Sequence, residues 1–236
     1  MAVHLPKFAK FDEWLNKTLD EQAKASGEDV QTYIARSVGS RILHELKRDK
    51  SPLLEEARAR LVASGVFDAE AMPDVSEAVN NPDRLQALYA TGLLDTPPEE
   101  AYDRITRTAA DALNAPYSAF SLIDQDRQFF KSTAGMDTGT EEKRQTPLAD
   151  SVCQYAVANG APLVIDDMRI DPVFRNHPAV LDGTVVAYLG IPLIDRADNA
   201  IGTLCVFDTQ PRQWSAGHVQ VLSDLAALTA ERVFGH

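Results

Sequence analysis

Two apolar segments near the C-terminal end do most to limit the folds open to this chain. Ala187-Tyr188-Leu189-Gly190-Ile191-Pro192-Leu193-Ile194-Asp195 and Gly202-Thr203-Leu204-Cys205-Val206-Phe207-Asp208 flank a short polar turn, Arg196-Ala197-Asp198-Asn199-Ala200. Apolar runs of this length around a polar turn read as the two strands of a hairpin. Upstream, Ser118 to Ile123 and Gln128 to Thr133 read as another strand pair around the turn Asp124-Gln125-Asp126, and Leu163-Val164-Ile165 as a small strand. Helices frame these strands. Arg84 to Thr91 ends at Gly92; Glu99 to Leu113 carries Tyr102, Ile105, Ala109 and Leu113 on one face; Ser215 to Phe234 carries Val219, Leu222, Leu225, Ala226 and Val233. A short helix is expected around Cys153 and an irregular stretch from Met168 to Gly183. Near-neighbour strands joined by tight turns, with helices at both ends, predict an α+β fold with an antiparallel sheet.

The first fifty residues are a separate problem. Phe11, Trp14, Leu15, Leu19 and Ala23 recur at helical spacing, Gly27 suits a helix end, and Asp29 can cap a second helix striped by Val30, Tyr33, Ile34, Val38, Ile42 and Leu46. A short extended piece, Ala2 to Leu5, precedes them and is broken by Pro6. One strand and two helices cannot bury a core alone, so a partner chain is expected. The predicted organisation is 1–49 as a strand-helix-helix segment, 50–81 as a helical linker and 82–236 as the main domain.

Charge and cysteine content exclude several functions. The net charge of −12 is uneven: residues 1–50 hold nine basic and eight acidic side chains, and the remainder 14 and 27. The acidic part should repel phosphate backbones and anionic lipid, which leaves the first fifty residues as the place for any nucleic acid. No apolar run reaches membrane-spanning length, and the N-terminus lacks the apolar segment of a signal peptide. Two cysteines, Cys153 and Cys205, fit reduced thiols in a cytoplasmic protein and are too few for a disulfide framework or a zinc site. Walker loop, dinucleotide fingerprint, nucleophile elbow and metal-protease helix are all missing from the sequence, so no metal is assigned.

Several segments occur in a telling order: Leu94-Asp95-Thr96-Pro97-Pro98-Glu99-Glu100, Phe129-Phe130-Lys131-Ser132, Ser151-Val152-Cys153, Leu163-Val164-Ile165-Asp166-Asp167, Asp171-Pro172-Val173-Phe174 and Ile201-Gly202-Thr203-Leu204-Cys205. Together, over residues 82–234, they resemble the GAF domain family. The resemblance implies a six-stranded antiparallel sheet with the terminal helices on one face. It also implies a ligand pocket on the other face, roofed by residues 135–183. Residues 2–47 resemble a ribbon-helix-helix module, which implies dimerisation and, in DNA-binding members, base reading from the ribbon. Here the ribbon would offer only His4 and Lys7, and Glu28-Asp29 at the second helix start would repel phosphate, so DNA binding is disfavoured.

The expected pocket residues are Phe129, Arg144, Asp150, Cys153, Asp166 and Tyr188. Arg144 would meet an anionic ligand and the aromatics an apolar one, whereas Asp150 and Asp166 also suit turn caps. Phe129 and Phe130, as strand neighbours, must point to opposite faces. Cys153 and Cys205 make a candidate redox pair, against the plainer reading of two small buried apolar residues. His177, between Asn176 and Pro178, reads as a turn residue rather than an axial haem ligand; Cys153 and Cys205 are followed by Gln154 and Val206, where bilin-binding relatives carry His or Phe. No cofactor is therefore expected. The leading expectation is a non-enzymatic, cytoplasmic regulator: a homodimer through residues 1–50, with a domain that senses a small molecule or binds a regulatory protein. A ligand-gated DNA-binding regulator and a thiol redox switch or reductase are the alternatives.

Overall fold

The computed structural model describes residues 11–67 and 72–235. The chain divides into two compact units, Met1–Glu70 with Leu181–Gly183, and Ala71–Val180 with Thr184–His236. The division falls inside the stretch read from sequence as a linker.

In the first unit, α1 (Glu13–Ala25) and α2 (Val30–Arg48) are joined through Gly27, whose φ of 71° sits in the left-handed region that glycine tolerates. Asp12 caps α1 by accepting from the Leu15 N–H, and Asp29 caps α2 by accepting from the N–H groups of Gln31 and Thr32. α3 (Leu54–Ala63) follows. Leu43, Phe67 and Leu181 are buried together, with Leu54, Ala57, Leu61 and Val62 against them. This cluster is small, and Trp14, Val38 and Ile42 remain 69%, 53% and 42% exposed. The expected strand, with His4 and Lys7, lies outside the described residues.

The second unit opens with α4 (Ser76–Val79), α5 (Pro82–Ala90) and α6 (Glu100–Ala112). It continues with β1 (Tyr117–Ile123), β2 (Arg127–Ala134), β3 (Gln145–Pro147), α7 (Cys153–Asn159), β4 (Leu163–Ile165) and α8 (Pro178–Leu181). β5 (Ala187–Ile194), β6 (Ala200–Asp208) and α9 (Ala216–Phe234) complete it. The six strands form one sheet in the order β3-β2-β1-β6-β5-β4, antiparallel throughout. The hairpin read from sequence is β5–β6, with β6 beside β1 in the middle of the sheet and β5 next to the edge strand β4. The irregular stretch from Met168 contains α8.

Each strand sends alternate residues to two different cores, as a pleated sheet must. One face packs Leu85, Leu88, Tyr102, Ala109 and Leu222 of α5, α6 and α9 against Phe120, Leu122, Leu189, Ile191, Leu204 and Val206. The other packs Val79, Val152, Cys153, Tyr155, Met168 and Phe174 against Ala119, Ile123, Phe130, Tyr188, Cys205 and Phe207. The terminal helices α6 and α9 thus share one face, as expected. The opposite face is covered by apolar side chains, with the Tyr155 and Phe174 rings edge to face at 5.1 Å.

Candidate functional site

Strand β2 sets up the site. Phe129 belongs to the core under α6 and α9, and Phe130 to the core under α7, so the two do point to opposite faces. The expected assignment of Phe129 to the face away from the terminal helices is corrected, because alternation from Phe130 puts it on theirs. Next in β2 comes a bulge. Phe120 pairs with Ser132 and Ser121 with Phe130, which leaves Lys131 as the extra residue. The bulge turns Lys131 toward the loop before α6. Its buried ammonium donates to Thr96 Oγ1 at 2.6 Å and the Pro97 carbonyl at 2.9 Å, and pairs with Glu99 at 2.6 Å.

Beside this lysine lies a cleft of about 470 Å³, lined by Asp95, Thr96, Pro97, Pro98, Phe129, Thr138, Gly139, Thr140, Arg144 and Gln145. Arg144 is 8% exposed. Its guanidinium lies over the Phe129 ring at 4.8 Å, a cation–π distance. It donates to the carbonyls of Thr96 at 2.8 Å and Lys131 at 3.3 Å. The carboxylate in the cleft, Asp95, is held by Arg127 through both oxygens, at 2.9 and 2.7 Å. Those bonds hold its carboxyl below the usual carboxylate range. Arg127 also donates to Gln145 Oε1 at 2.6 Å.

A second group of polar side chains lies beneath α7. The Sγ atoms of Cys153 and Cys205 are 3.9 Å apart. Tyr188 donates its hydroxyl to Cys153 Sγ at 3.2 Å, and the Cys153 thiol reaches Ser121 Oγ at 3.8 Å. Gln128 donates to Ser121 Oγ at 3.1 Å and accepts from Ser151. Every member is buried. The Cys153 thiol is drawn down to about 6, first by the hydrogen bond from Cys205 and against the cost of burial, while its role as donor and its own burial hold Cys205 well above an ordinary thiol. Burial foremost holds Tyr188 up as well.

The six residues expected in one pocket do not share one. Phe129 and Arg144 meet in the cleft; Cys153 and Tyr188 sit in the core on the opposite face. Asp166 accepts from the Trp214 N–H at 2.9 Å just past β4, at the far edge of the sheet from β3. Five inter-strand steps separate those edges, roughly 24 Å at about 4.8 Å each. Asp166 therefore caps a turn, the second of its two expected roles. Asp150 closes the 3-10 turn Leu148–Asp150. His177 is buried at the start of α8, where its Nδ1 accepts from the Ala179 N–H at 3.2 Å. Among the described residues, no group of three His, Cys, Asp or Glu side chains is placed to hold a metal ion, and no helix is long and apolar enough to cross a membrane.

Residues 97–233 match the GAF domain family, which is more than half of the chain. The chain belongs to the GAF domain family. A cyclic di-GMP phosphodiesterase of Pseudomonas aeruginosa is 33% identical over 144 residues, which are 60% of this chain and 24% of that protein. The chain thus matches about a quarter of that relative's length. The GAF domain of an Acinetobacter phosphoenolpyruvate-protein phosphotransferase superposes with a TM-score of 0.49 at 16% identity, covering 66% of this chain and 95% of that one. Free methionine-R-sulfoxide reductase from Neisseria meningitidis superposes with a TM-score of 0.47 at 19% identity, covering 69% and 92%.

Sequence reasoning missed most of the cleft in this GAF domain: Asp95, Thr96, Thr138, Thr140 and Gln145 were not singled out as site residues. Asp95-Thr96-Pro97-Pro98 carried a signal, because a polar pair before two prolines marks a fixed loop. The buried hydrogen-bonded group of Ser121, Gln128 and Ser151 was also missed. Part of its signal was Ser121, a polar residue inside the largely apolar β1, which in a buried strand needs a partner.

Proposed function

We propose that the chain is a non-enzymatic regulatory protein whose GAF domain responds to a small molecule bound in the cleft at the β3 edge. The family match over residues 97–233 carries the reading. The cleft supports it: its volume lies within the range of small-molecule sites, and its lining combines prolines and an aromatic ring with hydroxyl, amide and guanidinium donors. Those groups bind rather than react, since the Asp95 carboxylate is already committed to Arg127. The match to a limited part of a cyclic di-GMP phosphodiesterase fits a sensor module in a signalling protein. The protein acts in the cytoplasm as a homodimer through its first fifty residues, where Trp14, Val38 and Ile42 leave apolar surface to cover. Native mass spectrometry of freshly purified full chain tests this, with a dimer carrying a small ligand as the expected species. Turnover of cyclic di-GMP or of free methionine sulfoxide by the pure protein would overturn it.

A ribbon-helix-helix reading of the first fifty residues remains compatible with dimerisation, with DNA binding disfavoured. Glu28 is paired with Arg36 at 3.1 Å, and the Asp29 carboxylate takes the α2 N-terminal N–H groups that a phosphate would need. Gel shift at low salt tests that point, and a retarded band would reverse it.

A second reading rests on the 3.9 Å contact between the Cys153 and Cys205 sulfurs. Oxidation by hydrogen peroxide would join them: two thiols and one hydrogen peroxide give a disulfide and two waters. That switch can coexist with ligand sensing, and a thiol count before and after peroxide tests it.

A further inference from the structure

We infer that the β3-edge cleft is an anion site, and that its ligand is a small organic acid whose carboxylate or phosphate pairs with Arg144. The inference rests on the reading of this cleft as the sensor's ligand site and names the chemical class it takes.

Arg144 is the basis. Arg144 as a residue is 8% exposed, so most of its side chain is withdrawn from water. Buried cations are ordinarily matched by a carboxylate. The neighbouring cations of this domain are matched: Lys131 with Glu99, Arg127 with Asp95 and Asp124, and Lys143 with Asp137. Arg144 has no ion-pair partner among the described side chains: it meets two main-chain carbonyls and an aromatic face, and Asp95 acts on it only through space. Carbonyl dipoles orient the fork without cancelling its charge. A guanidinium has five N–H groups, of which these contacts use two, and its planar fork matches the paired oxygens of a carboxylate or phosphate.

The surroundings are built for the same ligand. Arg127 occupies Gln145 Oε1, so the other end of that amide, an NH2 group, is the one left to donate. Thr138 and Thr140 add hydroxyls to the lining. Asp95 would repel an anion, but its two oxygens are taken by Arg127 and its charge is offset there. Phe129, Pro97 and Pro98 supply apolar wall for the body of the acid. A bare inorganic anion would leave that wall uncovered. The site therefore favours an acid carried on an apolar group.

The test uses the full chain and four probes: phenyl phosphate, benzoate, inorganic phosphate and the neutral benzamide. Amide chemical shifts are followed during titration at low ionic strength. The expected result is that phenyl phosphate or benzoate moves the amides of Gly139, Thr140 and Gln145 at least tenfold more tightly than benzamide does. The stronger of the two acids tells a phosphate site from a carboxylate site. Arg144→Met should weaken that binding at least tenfold, and Arg144→Lys, which keeps the charge, by less. Should Arg144→Met fail to fold, Thr140→Val, at the cleft rim, replaces it and should weaken the acids without changing benzamide. Benzamide binding at the same amides as tightly as benzoate would overturn the anion assignment and leave the cleft as a ligand site. Shifts confined to inorganic phosphate would mean an adventitious ion only and would also overturn it. If none of the four probes moves a cleft amide, the anion assignment falls, and a ligand found by native mass spectrometry but displaced by none of them would place the sensing site elsewhere.

Discussion

Cys153 and Cys205 are 52 residues apart in the sequence, and their sulfurs are 3.9 Å apart beneath α7. A disulfide needs about 2.05 Å. Closing the gap requires α7 to settle toward β6 at its first residue, or a rotamer change in a buried site. Treatment with peroxide should therefore form an intramolecular disulfide slowly, seen as a mass loss of two hydrogens that Cys153→Ser or Cys205→Ser abolishes. Addition of oxygen to a single sulfur, with no disulfide, would show that the core holds the thiols apart.

The same pair predicts a pH dependence of stability. Cys153 has a folded value of about 6, below that of a free thiol. Between that value and the unfolded thiol's ordinary one, the unfolded chain binds more protons than the folded, so stability should rise with pH across this window. The contribution is fully present above the unfolded value and is lost as pH falls through about 6. Cys205, raised by donating to Cys153 and by burial, acts oppositely at higher pH. Chemical denaturation of wild type and Cys153→Ser from pH 6 to 8 checks this. A slope that the substitution leaves unchanged would assign it to other groups.

Lys131 predicts an asymmetric pair of substitutions. Its ammonium is fully buried, whereas its partner Glu99 is 46% exposed. Lys131→Met leaves the Pro97 carbonyl and Thr96 hydroxyl without their donor, at a cost of about 1–3 kcal/mol. Glu99→Gln should cost about 0–1 kcal/mol, because water replaces an exposed carboxylate readily. Equal losses in thermal melts would show that the ion pair itself, rather than the buried hydrogen bonds, anchors the loop before α6.

The helices and the β5–β6 hairpin were legible because their signals are local and long. Gly27 and Asp29 end and cap helices where the sequence suggests, and β5 and β6 are continuous apolar runs. β3 was not read as a strand, since three residues ending in Pro147 carry no detectable period. The site was misgrouped for a different reason. Whether Arg144, Asp166 and Tyr188 can meet depends on strand order, and whether Phe129 and Lys131 share a face depends on the bulge at Lys131. Neither is encoded in residue spacing.

The proposed homodimer can be tested without deleting a segment. Trp14 and Ile42 are exposed on α1 and α2, in a unit whose buried cluster is small. Trp14→Lys and Ile42→Lys should each lower the mass measured by light scattering toward that of one chain, with helicity by circular dichroism preserved. An unchanged oligomer would move the interface off these two helices.

Tyr188 and Gly190 make the sharpest packing test. They lie two apart on β5 and so share a face. The Tyr188 ring folds back over Gly190, where a Cβ would come within 2.6 Å of the tyrosine Cζ. That approach explains the glycine, and it is also how the Tyr188 hydroxyl reaches Cys153. Tyr188 is 2% exposed, so Tyr188→Ala should cost about 3–5 kcal/mol, as large aromatic deletions in cores do. Tyr188→Phe should cost about 1 kcal/mol for the lost hydrogen bond. Gly190→Ala alone should be destabilising because the ring must shift. In the double variant Tyr188→Ala/Gly190→Ala the added methyl meets open space, so its cost should vanish or change sign, a coupling that contacting residues show. Additive losses in denaturant melts would mean that the ring does not rest on Gly190.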